Sequence, residues 1–72
     1  MDLKTYIKMC CVKCGDINIT ELANRTGISR QNICNKYAKN KFSNEDLEKI
    51  AEALNCTLEI RFIDKETGKP VI

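Results

Sequence analysis

Gly27 is the residue that most limits what this chain can fold into. It stands between two short helical patterns with almost no loop to separate them, and a turn that sharp needs a left-handed backbone, which glycine adopts without a side-chain clash. Before it, Glu21-Leu22-Ala23-Asn24-Arg25-Thr26 has room for a two-turn helix only, with Ile19 ahead of Thr20 as the N-cap hydroxyl. After it, Ser29 caps a second helix at once, Arg30 to Tyr37, with Ile33 and Tyr37 at i, i+4 and Cys34 beside them. Ala23 is small enough to let the second helix approach closely, and Leu22, Ile28 and Ile33 are placed to pack the corner. Two helices meeting at a corner are therefore expected.

The flanking segments extend this pattern. Leu3, Ile7, Cys10 or Cys11, and Cys14 recur at three- and four-residue steps, predicting a first helix over about residues 2 to 14, closed by Gly15. Ala38 to Phe42 reads as a polar, basic connection. Ser43 with Asp46 three residues later resembles a capping box, and Leu47, Ile50, Ala51 and Leu54 mark a fourth helix ending near Asn55. Beyond Asn55 the period drops to two: Leu58, Ile60 and Phe62 alternate with Thr57, Glu59 and Arg61. That predicts a strand, a turn over Asp64 to Gly68 and a second strand, Lys69 to Ile72. The expected fold is a mostly α bundle of about four helices with a C-terminal β-hairpin. It forms one domain, with a helical core over 1–56 and the hairpin over 57–72.

Composition narrows the chemistry. The 72 residues include no His, no Trp and three Gly, so neither a Ser-His-Asp nor a Cys-His pair is available, nor a Gly-rich phosphate loop. The reading is not an enzyme. No apolar run approaches the roughly 18 residues of a membrane span, and MDLKTYIKM lacks the apolar stretch of a secretory signal, which predicts a cytoplasmic protein. Five cysteines form an odd set that suits reduced thiols. Cys11-Val-Lys-Cys14 supplies half of a zinc site, but Cys34 and Cys56 are isolated, and close pairs are what zinc usually takes. The favoured reading makes Cys10, Cys14, Cys34 and Cys56 small apolar fillers, with no metal and no cofactor. A chain this short buries only about 60% of its unfolded surface, which favours a partner subunit.

Charge is uneven along the chain. Residues 1 to 42 carry eight bases and three acids, a net +5, whereas residues 43 to 72 carry four bases and seven acids, a net −3. The first segment suits a polyanion, although a solvated charged face gives the same pattern.

Ile19 to Ile33, with Ala23, Gly27, Ile28 and Ile33 at their spacings, followed by Leu47-Glu48-Lys49-Ile50-Ala51-Glu52-Ala53-Leu54, resembles the phage-repressor and Cro-type helix-turn-helix domain over about residues 3 to 57. The resemblance implies sequence-specific binding to double-stranded DNA by a transcriptional regulator, with the helix after the turn in the major groove. It implies base contacts from Arg30, Gln31 and Asn35, and phosphate contacts from Asn18, Thr20, Ser29 and Asn32. The side chains have the right groups: Arg pairs bidentately with guanine, Gln and Asn with adenine, and positions 31 and 35 share a helix face. Lys36, Lys39, Asn40 and Lys41 follow, where backbone phosphates are commonly met. Read without the motif, Arg30 and Gln31 are solvated first-turn residues and the lysines a soluble face. One departure stands out: the family usually has an apolar residue where Lys36 stands, and here Tyr37 is the apolar one. Asn55 replaces the usual glycine after the fourth helix, a position Asn also tolerates.

Members ending in a strand commonly dimerise by pairing it. Leu58, Ile60 and Phe62 would then lie at a two-fold interface, and the homodimer would match half-sites about 34 Å apart. Packing of the hairpin on its own helices is the alternative. A protein-interaction module of antitoxin or anti-repressor type, using the acidic second half, is the competing function. A cysteine-based metal or redox sensor is a third.

Overall fold

The computed structural model describes residues 1–72 and contains four helices: α1 (Leu3–Lys13), α2 (Ile19–Thr26), α3 (Arg30–Lys39) and α4 (Asn44–Ala53). Each begins on a side chain that accepts a hydrogen bond from an otherwise orphaned amide: Asp2 from Thr5, Asn18 from Glu21, Ser29 from Asn32 and Ser43 from Asp46. At α4 the box is complete, because the Asp46 carboxylate also accepts from the Ser43 amide at 2.9 Å.

The core is thin and gathers all four helices. Ile7 and Cys11 of α1, Ile17 of the connection before α2, Leu22 and Ala23 of α2, Ile33 and Tyr37 of α3, and Ile50 with Leu54 at the end of α4 are its buried residues. α2 packs against both α3 and α4. Leu22 and Ile33, each 1% exposed, sit where the corner closes, and truncating either to Ala would cost about 2 to 5 kcal/mol. Phe42 meets Tyr37 edge-on at 5.7 Å between ring centroids, and the Lys8 ammonium lies 5.2 Å from the centroid of the same tyrosine ring. Burial, with Cys11 beside it, pushes the Tyr37 hydroxyl up to about 12.

Four expectations need correction. The α2 cap is Asn18, not Thr20, which lies inside the helix; both have the chemistry, and the carboxamide reaches the Glu21 amide at 2.8 Å. α3 does not end at Tyr37 but runs to Lys39, so Lys36 and Lys39 are helical. It closes on Asn40, whose φ of 52° lets the amides of Asn40 and Lys41 bond back to Tyr37 and Lys36. Of the cysteines, Cys11 is the buried one, Cys10 and Cys34 are half-buried, and Cys14 and Cys56 are exposed, so the last two fill no core.

The largest correction is the C-terminal hairpin. There is no sheet, only one isolated antiparallel bridge between Ile63 and Pro70, flanked by amide bonds from Asp64 to Lys69 and from Val71 to Phe62. Residues 57–62 alternate as expected, but no ladder partner lies beside residues 57–61, and Pro70 brings no N–H to the bridge. None of the seven amides from Thr57 to Ile63 donates a hydrogen bond within the chain. Ile60 is 65% and Phe62 84% exposed, so the segment leaves its helices after Leu58, which is half-buried in a depression shared with Glu48, Ala51 and Glu52 of α4. The radius of gyration, 13.4 Å, exceeds the roughly 11 Å of a compact domain this long, as a projecting segment requires.

Candidate nucleic-acid interface

The corner is set by Gly27, at φ 76° and ψ 4°, whose amide donates to the Ala23 carbonyl at 2.9 Å. Thr26 locks it. Its hydroxyl donates to the Leu22 carbonyl at 2.8 Å and accepts from the Ile28 amide at 3.2 Å, joining the last turn of α2 to the connection. A small polar residue just before a turn glycine was the available signal for this role.

With Ile33 and Tyr37 turned into the core, the opposite side of α3 faces solvent. Gln31 and Asn35 are exposed there, one turn apart on one face, Asn32 is exposed at its edge, and Arg30 is exposed at the first turn of the helix. Arg30, Gln31 and Asn35 form no hydrogen bond or ion pair within the chain, so their donors and acceptors meet only water. A shallow depression of about 400 Å³ between the start of α2 and the start of α3 brings Thr20, Ser29 and Arg30 together, with Ala23, Asn24, Gly27 and Ile28 as its floor and walls. Asn18 is not part of it.

The basic residues divide into two groups. Lys36 is half-buried, and its ammonium donates to the Asp46 carboxylate at 2.8 Å, tying α3 to the capping box of α4. The Lys36 hydrogen bond and the Ser43 amide hold the Asp46 carboxyl below the usual carboxylate range. The apolar residue expected at position 36 is thus replaced by a charge with a partner, and α3 keeps its register through Tyr37. Arg25 is also engaged: it pairs with Glu21 at 2.9 Å and donates to the Ala53 carbonyl at 3.1 Å, bridging α2 to the end of α4. Its i, i+4 spacing from Glu21 marks the pair in the sequence, whereas the reach to Ala53 depends on the fold. Lys39, the last residue of α3, and Lys41, just past its cap, are exposed and unpaired. Asn40 accepts from the Lys4 amide at 2.9 Å, so its side-chain oxygen fastens α1 to α3. A second depression, of about 520 Å³, places Lys36, Asn40, Lys41, Ser43 and Asp46 together beside Leu3 and Phe42.

No curated protein and no solved structure matches the chain. A family model for the Cro/C1-type HTH DNA-binding domain matches residues 15–59, which hold α2, the Gly27 corner, α3 and α4 and leave out α1. The corner geometry and that match agree on the same residues, and the chain belongs to the Cro/C1-type helix-turn-helix DNA-binding family.

Proposed function

We propose that the protein is a sequence-specific regulator of transcription that lays α3 in the major groove of double-stranded DNA and binds as a homodimer. The observation that carries this reading is the exposed, unpartnered trio of Gln31 and Asn35, on the side of α3 opposite Ile33 and Tyr37, and Arg30 at its first turn. These are the side chains whose donors and acceptors fit guanine and adenine edges. Thr20, Asn32, Lys39 and Lys41 serve the phosphates. Asn18 and Ser29, their side-chain oxygens engaged in capping, serve through the amides at the helix starts they define. Asn40 reaches phosphate through its amide nitrogen. Lys36 meets DNA only if it leaves Asp46, and in this reading it chiefly holds α3 against α4.

The dimer rests on residues 57–63. A stretch outside any helix or sheet whose amides lack acceptors, carrying exposed Ile60 and Phe62 beside half-buried Leu58, is suited to pairing with its own copy. The same apolar exposure favours one other reading, a docking module for a different protein. Selection of bound sequences from a random DNA pool separates the two. Recovery of a two-fold symmetric motif, with affinity falling steeply as salt rises, is the expected result. Failure to enrich any sequence, together with tight capture of a protein partner, would replace it with the second reading.

A further inference from the structure

Glu59 and Arg61 form the one ion pair outside the helices. Arg61 Nε donates to the Glu59 carboxylate at 2.7 Å, and neither side chain bonds any other group of the chain. Both are exposed, and they flank Ile60 within the alternating run of Leu58, Ile60 and Phe62. A two-fold axis through an antiparallel pair sets one residue opposite its own copy, and residues equally far on either side of it then face each other. The choice of that residue decides which charges meet. Centred on Glu59 or on Arg61, the pair opposes two carboxylates or two guanidinium groups, and like charges directly opposite are destabilising. Centred on Leu58, Ile60 meets Cys56; centred on Phe62, Ile60 meets Asp64. Centred on Ile60, each Glu59 faces Arg61 of the other copy, each Leu58 faces Phe62 of the other copy, and the two Ile60 side chains meet. That register alone matches both charges and all of Leu58, Ile60 and Phe62 at once.

We propose, resting on the homodimer inferred above, that Ile60 lies on the two-fold axis and that Glu59 and Arg61 fix the register and the choice of partner. The ion pair within each copy then joins its counterpart in a ring of alternating charge across the two. Exposed ion pairs add little affinity, so the role of this ring is selection. A shifted register opposes like charges or leaves the apolar residues facing polar ones. A foreign strand without the same order of acid and base finds no match for its charges.

The test is charge reversal in the full chain. Glu59→Arg alone and Arg61→Glu alone each oppose like charges twice per dimer, and each should raise the dimer dissociation constant about tenfold or more, by sedimentation equilibrium at low salt. High salt should shrink the difference. Mixing the two variants opposes unlike charges again, so native mass spectrometry should find the mixed dimer in excess over either homodimer. The variant carrying both reversals should self-associate like wild type. All should share the wild-type melting temperature, because the two side chains bond only each other. On the selected two-fold operator, cooperative filling of the half-sites should follow the same order. Single variants that pair as tightly as wild type, or a mixture in statistical proportions, would overturn the register and leave the homodimer standing. A wild type that is monomeric in solution and fills half-sites independently would overturn both.

Discussion

Arg30 and Gln31 on one hand and Asp46 on the other show how differently polar residues are employed in this chain. Arg30 and Gln31 have no partner within it, so replacing either with Ala should leave the unfolding midpoint nearly unchanged. Each replacement should weaken operator binding by about 1 to 3 kcal/mol and relax preference at one base pair, as measured by titration against single-base variants of the selected site. Equal loss on operator and random DNA would move Arg30 to the phosphate contacts. Asp46, in contrast, accepts from Ser43 and from Lys36, and its pKa lies below its ordinary value of 3.8. A carboxyl depressed in the folded state contributes stability that is complete above that ordinary value and is lost as pH falls through the lowered one. Wild type should therefore lose more stability between pH 5 and pH 2 than Asp46→Asn, by urea midpoint at each pH. Asp2 is depressed too, through Thr5, and titrates in the same window in both proteins, so the difference between them isolates Asp46.

At the scale of the helix, what could be read in advance followed from local chemistry. Four helices, the Ser29 and Ser43 caps, the Gly27 corner and the left-handed Asn55 all rest on interactions spanning six residues or fewer, and the structure has each of them. The errors fell where two local solutions compete or where a distant partner decides. Thr20 and Asn18 are both good caps, and only backbone direction chooses between them. The extension of α3 to Lys39 depends on Asn40, which is held by the amide of Lys4, thirty-six residues away. Lys36 departed from the usual pattern because its partner lies on α4. Gly27 gives an element-scale prediction. A Cβ added there would meet nothing within 4 Å, so Gly27→Ala pays only for its left-handed backbone. The expected loss is about 1 to 2 kcal/mol in a denaturant titration, with DNA specificity retained. A loss well above that would mean that the corner itself had rearranged.

The whole molecule divides into a helical unit and a projecting segment, and alternation alone could not reveal this. A period of two reports that one face of a strand seeks cover; it does not say which surface supplies it. Here the chain's own helices leave Ile60 and Phe62 uncovered, and the expected hairpin reduces to a single bridge. This sharpens the dimer test. The Ile60 amide has no acceptor within the chain, so Ile60→Pro should leave the monomer's thermal unfolding within about 0.5 kcal/mol of wild type. The same change should abolish self-association, because proline removes a donor that pairing between copies would use. Sedimentation velocity across micromolar concentrations decides the matter. A monomeric wild type would confine any dimer to the DNA.

The seven unpaired amides from Thr57 to Ile63 also work as a clock. In an isolated copy they are open to solvent, and their protons should be replaced by deuterium at nearly the rate of an unstructured peptide. The amides of Leu22 and Ile33, bonded within helices and attached to the most buried side chains, should wait for global unfolding. If copies pair through this segment, its exchange slows as protein concentration rises while the helices keep their own pace. Isotope uptake at one short stretch would then record assembly, independently of any change in the core.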